Sequence, residues 1–550
     1  MTMEVQDYEY YEAHAKDIKL EDITSEKDNA DLLARLRDND PHVYQISITK
    51  SRYERDFVLR EGDHLGWLGY FVGKSKQLET LTIESFPETI SLNAFLEGLG
   101  HNQSIQYLFI SRDLGESFQS LIPFVRNNDS LRHLSFNDFD IGLQCVRNIT
   151  LLLSQNSSLK RLEIDETDLD VEGLVEVITA VRAHTQIEEL SLTSNYNLGR
   201  EGFAELGRML EGWRSPRLSF LDVMYSDIDD EGLYSLVAGL RNCHNLTSLT
   251  LHGNRSITEA GWRSLSALFQ SDNCRLECLD LGRMNIDDEE VSILAPGIAS
   301  LSSLRHLDLF ENSIGDQGIQ ALVGALVSCN IEELCLSNNH FTTNVMTSLS
   351  SLFRGEHCAL YHLWLYGTHL GDGGAAVLAD GLIGNMSLTT LNFKDERITA
   401  SGWAAFSELL CDTSSVNNTY LSNHTLVEVG EPAYKSPDTP QEIMQYLKWN
   451  KSHNQTAAIC KILRSHPDID IKPLLQFNLK CLPFVVAWLE KAKSYRAKVK
   501  ESTEVFHSRQ LSAVYKFIRG MPQLAVDGYR KEKTKDIQSD AKKRKFDLTL

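Results

Sequence analysis

Residues 69–75, Gly-Tyr-Phe-Val-Gly-Lys-Ser, come nearest to a phosphate-binding loop in this 550-residue sequence. Such a loop needs four residues between its glycines, so that consecutive backbone N–H groups wrap a phosphate. Three separate Gly69 from Gly73, and Leu68 stands where glycine is required, so a nucleotide-hydrolysing module is not expected. Cys274 and Cys278 lie four apart, but the first falls on an expected turn and the second on an expected strand. A second close Cys or His pair, which a zinc site needs, is missing. His306 and His362 hold equivalent places two repeats apart in the pattern below, roughly 10 Å given strands about 4.8 Å apart. One zinc ion cannot bridge that gap. Glu188-Glu189 and Glu332-Glu333 look like carboxylate pairs, but adjacent strand residues point to opposite faces, which argues against shared proton chemistry. No nucleophile elbow or Cys–His motif stands out. The residues thus point to a protein with no catalytic residue, no cofactor and no metal.

The elements that carry these residues follow a repeat. L-x-x-L-x-L, with Ile, Val or Phe as substitutes, begins at Leu78, Ile105, Leu131, Leu159, Ile187, Leu218, Leu246, Leu276, Leu304, Ile331, Leu360 and Leu388. A weaker copy starts at Val416, with Thr419 in a leucine slot and Leu421 closing it, and Val43, Ile46 and Ile48 form a plausible opening copy. Most gaps are 27 to 29 residues and none between clear copies exceeds 31; the 35 from Val43 to Leu78 suggests an irregular first repeat. In Leu304–Asn312, Leu304, Leu307 and Leu309 are expected to point inward from a short strand, and the Asn312 amide to satisfy backbone groups as the chain turns out of the sheet. Asn195, Asn254 and Asn339 hold the same place. A glycine then recurs near a helical start, at Gly173, Gly202, Gly232, Gly261, Gly318, Gly374 and Gly402; Glu290 and Val345 stand there in two copies. Helical spacing follows, as in Ile319, Leu322 and Leu326. One strand and one helix cannot bury their own apolar face, but stacked neighbours share a core.

On these residues the chain resembles the ribonuclease-inhibitor-like class of leucine-rich repeats, over about residues 40–425. The resemblance implies an α/β solenoid, a horseshoe with its parallel sheet on the concave side and helices on the convex side. It implies little chemistry, because the class holds inhibitors, GTPase activators, immune sensors and ubiquitin-ligase adaptors.

Five segments are expected: 1–40, an acidic lead and N-terminal cap; 41–428, the solenoid; 429–439, a linker; 440–530, a helical module; and 531–550, a basic disordered tail. The lead is expected to lack structure for about 20 residues and to turn helical at about Asp31–Arg37. Thr439-Pro-Gln-Glu442 matches a capping box with proline in the first helical position. Ser436-Pro and Thr439-Pro suit either proline-directed phosphorylation or turn chemistry. Ile443, Leu447, Ala457, Cys460 and Leu463 form one apolar set, and Leu482, Val485, Val486, Trp488 and Leu489 another. Lys480–Ala492, KCLPFVVAWLEKA, resembles part of a tail module of uncharacterised algal repeat proteins. Lys542-Lys543-Arg544-Lys545 suits nuclear import or a solvated tail.

A net charge of -22 repels nucleic acid and anionic membranes. No stretch approaches the roughly 18–20 apolar residues of a membrane span, and the first residues lack the form of a secretory signal. Ten cysteines without a regular framework suit a reducing compartment, as small buried hydrophobes. The sequons at Asn148, Asn245 and Asn385 are then unmodified. A cytoplasmic protein, or a nuclear one if the basic run acts, is the expectation.

The position between the second and third leucines of each copy faces the open side of the sheet. Glu163, Asp222, Asp280 and Asp308 make its middle acidic, and Trp364 and Tyr420 make its C-terminal end aromatic. Tyr225, Phe310, Tyr361, His362 and Tyr366 flank it. Exposed aromatics beside carboxylates suit a protein hot spot that selects basic and apolar partner surface; capping helices over the aromatics, or acids that merely solvate, are the alternatives. The leading expectation is a non-enzymatic scaffold binding a protein partner, with no nucleic acid and no membrane. The alternative is a GTPase activator resembling the Ran-directed ones, whose tails are acidic where this one is basic. A ubiquitin-ligase adaptor comes third, since residues 1–75 lack an F-box-like pattern.

Overall fold

The computed structural model describes residues 8–49, 56–59, 64–84, 90–112, 118–213, 217–354, 358–393, 398–430 and 439–468. The chain forms two compact units, residues 1–313 with 324–330, and residues 314–323 with 331–550.

The first unit is built on parallel strands from Gln45–Thr49, Thr80–Ile83, Tyr107–Ile110 and His133–Asn137 through Arg161–Asp165, Glu189–Ser191 and Phe220–Asp222 to Ser248–Thr250, Cys278–Asp280 and His306–Asp308. The register sets Leu81, Leu108, Leu134, Leu162, Leu190, Leu221, Leu249, Leu279 and Leu307 in one file. Each is 2% exposed or less, and each such burial contributes about 1.5–3 kcal/mol. The strands are so short that only three inward residues per repeat carry the core, and helices such as Val171–Ala183 and Asp230–Leu240 supply its other wall.

Asparagine supplies the joints. The Asn254 amide donates to Val223 O (2.9 Å) and Leu251 O (2.6 Å), and its oxygen accepts from Ser226 N (3.0 Å) and Ile228 N (3.1 Å). Asn195 and Asn312 repeat this pattern, as expected. A second asparagine column, not foreseen, sits where several of the strands begin. Asn102 Nδ2 donates to Val72 O (2.7 Å), and its oxygen accepts from Ser104 N and Ile105 N (both 2.8 Å). Asn128 and Asn156 make corresponding bonds.

The sequence expectation fails at the N-terminal edge. The lead is not structureless to residue 20: Tyr8–His14 is a helix packed on Leu65–Lys74. Tyrosines hold it there. The Tyr11 ring lies 4.9 Å from Trp67, Tyr8 stacks on His101 at 3.6 Å, and Glu12 pairs with Lys74 at 2.8 Å. Lys27–Arg37 is the next long helix, starting earlier than expected. An additional strand, Asp56–Val58, pairs with Gln45–Thr49. The buried Asn29 side chain of helix Lys27–Arg37 covers that edge, donating to Val58 O (2.8 Å) and accepting from Val58 N (3.0 Å). Gly69 and Gly73 let two helices touch: a Cβ would meet Phe95 O at 2.4 Å and Gly98 O at 2.1 Å.

In the second unit, Glu333–Cys335, His362–Trp364, Thr390–Asn392 and Glu428–Val429 are parallel. The last repeat is therefore not where expected. Val416–Leu421 is a helix, and Leu391 pairs with Val429. Thr419 Oγ1 donates to Asp412 O (2.6 Å), a bond that holds a helical turn rather than a leucine slot. Asn423-His-Thr-Leu426 is the true strand entry: Asn423 accepts from Thr425 N and Leu426 N (3.0 and 2.9 Å), as Asn385 does for Ser387 and Leu388. The sheet thus reaches Val429, inside the expected linker; residues 431–438, with Ser436, lie outside the described residues, as do residues 469–550.

Helix starts in both units share a staple. Asp230 accepts from Thr258 N (2.7 Å) and Thr258 Oγ1 (2.5 Å), and from Gly261 N (3.0 Å). Asp372 does the same for Thr399 and Gly402, and Asp316 for Thr342. A Cβ on Gly261 or Gly402 would lie 2.6 Å from the aspartate oxygen, so close approach explains the glycine. Where Glu290 replaces it, Asp287 and Glu290 form a capping box instead. Where Val345 replaces it, the segment breaks into a 3-10 turn, Thr343–Val345, before Met346–Ser350.

Helices Gln441–Asn450 and Asn454–Ser465 follow. Thr439 does not cap the first: its hydroxyl is buried without a partner, and Glu442 is held by Tyr446 Oη instead of reaching back. Lys461, fully buried, donates to Asn423 O (2.9 Å) and lies 3.1 Å from His424 Nδ1. Burial pushes its ammonium down to about 7, and burial with Lys461 alongside pushes His424 down to about 4.

Two outcomes follow. Asn254→Ala strips four hydrogen bonds from buried backbone groups and lowers unfolding free energy by about 2–4 kcal/mol. Chemical denaturation measures this, and Ser226 and Ile228 amides should exchange faster; unchanged exchange would contradict the role given to the column. For Lys461, the unfolded chain holds the extra proton between about 7 and about 10.4, so stability rises with pH across that window. Lys461→Met loses that slope, and its thermal midpoint relative to the natural protein should fall as pH rises.

Candidate functional site

In the first unit the face opposite the helices carries the residues between the buried leucines. Glu163 there is not a free carboxylate. It lies 3.0 Å from His133 Nε2 and 2.7 Å from Arg161, whose guanidinium also reaches Glu189 at 3.0 Å and covers the Phe220 ring. The His133 ring and the Arg161 guanidinium together outweigh burial and hold Glu163 down at about 2. Asp222, Asp280 and Asp308 each accept a backbone N–H two residues on, from Met224 (3.1 Å), Gly282 (2.9 Å) and Phe310 (2.7 Å). Their residue type thus has a local cause, closing the strand exit. Burial raises the Asp222 carboxyl.

Beyond these exits the backbone turns left-handed at Asp138, Glu166, Ser194, Tyr225, Gly253, Arg283 and Glu311, at φ between 48° and 79°, and again at Asp168, Asp227 and Asn285. Among these, Tyr225, Arg283 and Glu311 join a network. Tyr225 Oη lies 3.0 Å from His252 Nε2, and His252 Nδ1 lies 3.2 Å from Asp280. Arg283 donates to Tyr225 Oη (3.2 Å), pairs with Glu311 (2.7 Å) and sits 5.5 Å over the Phe310 ring. Gly253 is required beside it, since a Cβ would strike the Tyr225 ring at 2.3 Å.

Asp165 was missed by the sequence reading. It accepts from Ser191 Oγ (2.8 Å) and Thr193 N (2.8 Å), and burial pushes its carboxyl up to about 7. Its position directly after the third inward residue was the available signal, but only packing determines the depth that shifts it.

In the second unit, Tyr361, His362 and Trp364 come together. The Tyr361 and His362 rings are 4.6 Å apart and those of His362 and Trp364 5.2 Å, both edge to face. Tyr361 Oη donates to Glu333 (2.9 Å), and His362 Nδ1 lies 3.4 Å from the same oxygen. Glu333, one of the sequence-adjacent glutamates, is thus an anchor for two aromatic rings. Tyr366, two residues beyond Trp364, is 42% exposed, and its backbone N–H donates to Ser337 Oγ (3.0 Å). Tyr420 is not part of this column. It projects from helix Val416–Leu421, 54% exposed, because the strand it was assigned to forms at Glu428–Val429 instead.

Among the described residues no helix is long and apolar enough to cross a membrane. None of them form a group of three or more His, Cys, Asp or Glu placed to hold a metal ion.

Residues 215–237 and 300–323 match the family model described as Leucine Rich repeat. Mouse ribonuclease inhibitor is 28% identical over 347 residues, 62% of this chain and 74% of that protein. Pig ribonuclease inhibitor is also 28% identical, over 56% of this chain and 67% of its own length. Mouse NACHT, LRR and PYD domains-containing protein 5 is 29% identical over 295 residues, 51% of this chain but 24% of that longer protein. Among solved structures, an internalin from Listeria monocytogenes covers 64% of the chain (18% identity, TM-score 0.36), and a chain of the yeast Rad7 and Elc1 complex 72% (14%, 0.42). With the strand register, these sequence matches support a ribonuclease-inhibitor-like leucine-rich-repeat solenoid for this chain.

The Asp165 carboxyl carries a pH signature. Its folded value, near 7, exceeds the unfolded value of about 3.9, so the folded chain holds the extra proton between them and stability falls as pH rises through that window. Asp165→Asn keeps both hydrogen bonds and removes the charge. Its thermal midpoint should match the natural protein near pH 4 and exceed it by about 2–4 °C near pH 8; an equal difference at both would show that the carboxyl does not titrate there. Glu163 acts with opposite sign at lower pH, between about 2 and about 4.3.

Proposed function

We propose that this chain is a non-enzymatic scaffold that captures a protein partner on the helix-free face of its sheet. Tyr361, His362, Trp364 and Tyr366 are the central contacts. The observation that carries this reading is the aromatic cluster held on the strand face by Glu333. Rings fixed by their own contacts lose little freedom on binding, and large rigid aromatics dominate protein hot spots. The repeat class supports it as well: ribonuclease inhibitor is named for its action on another protein. On the first unit, Asp222, Asp280, Asp308 and Phe310 offer a mixed acidic and apolar surface suited to basic and apolar partner groups.

Trp364→Ala combined with Tyr366→Ala should weaken partner capture by about 30-fold or more, the loss of roughly 2 kcal/mol that hot-spot residues contribute. The melting temperature should change little, because neither residue belongs to the buried leucine file. Affinity purification of the natural and doubly substituted chains, compared by quantitative mass spectrometry, reads this directly. Equal recovery of the same proteins would remove the cluster from consideration. Stimulated GTP hydrolysis by loaded small GTPases would favour the activator reading instead.

A further inference from the structure

In the second unit a groove of about 600 Å³ runs between helices Ala400–Leu410 and Gln441–Asn450, apart from the strand face. Ala400, Trp403, Ala404, Glu408 and Cys411 line it from the first helix and its C-terminal cap. Spacings of three and four put these residues on one helical face. The groove is therefore elongated, about 16 Å from Ala400 to Cys411. Ile443 and Tyr446 face them from the second helix.

The lining carries charge of one sign. Glu408, Asp412 and Glu442 belong to it, and among the described residues no lysine, arginine or histidine does. Ser414 N–H donates to Asp412 (2.9 Å) and Tyr446 Oη to Glu442, bonds that orient the carboxylates and leave their charge in place. The C-terminal end of helix Ala400–Leu410 lies beside Glu408 and Asp412, and its carbonyl oxygens add negative partial charge. Lys461 stands 5.9 Å from the Tyr446 ring, but it is fully buried and outside the lining. A buried polar group at the rim is also unmet. The Thr439 hydroxyl, on a residue 5% exposed, has no hydrogen-bond partner among the described residues. Thr439 precedes Pro440 of the lining, and a Cβ on Gly430 would lie 2.9 Å from Trp403 and 3.7 Å from Thr439 Oγ1. Hydroxyl and indole thus share one corner.

We propose that this groove binds a linear aliphatic polyamine, a di- or triamine with methylene spacers. Glu408 and Asp412 on one wall and Glu442 on the other call for more than one ammonium group. The rings of Trp403 and Tyr446 attract ammonium cations, and with Ala404 and Ile443 they give the methylenes an apolar surface. The Thr439 hydroxyl is available to accept an ammonium N–H. The elongated shape suits a linear ligand, and the volume falls in the range of small-molecule sites. A hydrated metal ion would find the carboxylates but gain nothing from the apolar walls.

Isothermal titration calorimetry of the full chain with spermidine tests this, and binding should saturate at one ligand per chain. Glu408→Gln combined with Glu442→Gln should weaken it at least about tenfold, through the loss of charge-assisted hydrogen bonds. A chain of net charge -22 attracts any cation diffusely. Glu172→Gln combined with Glu201→Gln, at exposed acids of the first unit, removes the same charge and should leave the Kd unchanged. Trp403→Leu, which keeps every carboxylate, should weaken binding by about fivefold. Absence of saturable binding, or an equal loss in both double variants, would overturn the proposal. So would displacement of spermidine by an equal concentration of magnesium chloride, which would make the groove a simple cation site.

Discussion

A buried asparagine amide must find both acceptors and donors, and in each unit they belong to the preceding turn of the chain. Asn254 bonds Val223, Ser226 and Ile228, and Asn339 accepts from Ile314 N while donating to Leu336 O. Wherever such an asparagine stands, the repeat is satisfied by its neighbour, and the bond fixes the register between the two. The second column, Asn102, Asn128, Asn156, Asn385 and Asn423, repeats the constraint at the strand entries. The two columns serve different repeats, so a strand is pinned by an asparagine at its exit or at its entry, as at Asn254 and Asn156. Several of these asparagines sit in N-x-S/T sequences, and their buried bonds supply a structural reason for that spelling.

The same nearest-neighbour logic governs the helical side. Asp230, Asp316 and Asp372 each hold the threonine that opens the following helical segment, and glycine appears where the carboxylate approaches too closely for a Cβ. Departures from that pattern are compensated locally, with opposite results. Glu290 replaces the glycine and supplies a capping box, so a thirteen-residue helix results. Val345 offers no such bond, and its segment is broken into short turns.

Against this framework the strand-face residues differ from repeat to repeat, and the polar ones divide by partner. Glu163 is bonded by His133 and paired with Arg161, and the Asp165 carboxyl is pushed upward by burial. Asp222, Asp280 and Asp308 close their own strand exits. An acidic run in sequence is therefore several different electrostatic situations in space. The aromatic cluster is different in kind, because Glu333 orders Tyr361 and His362 without covering them.

The sequence alone determined the repeat, the inward leucines, the exit asparagines and the placement of His362 and Trp364 on one strand with Tyr361 just before it. Period-2 alternation inside a period of about 28 residues leaves little freedom in which side chains meet. It did not locate the last strand: Val416–Leu421 imitates the leucine spacing, while Asn423-His-Thr-Leu426 carries the hydrogen-bonding residue that starts a strand. Nor did it reveal the docked N-terminal helix, whose tyrosines find Trp67 and His101 many residues away. Depth was also decided only in three dimensions. Asp165 and Lys461 are ordinary charged residues in sequence, and their altered ionisation comes from desolvation by neighbours that folding brings around them. Spacing along a chain encodes which face a residue takes; the neighbours that then cover it, and so its charge and its availability, come from packing between segments.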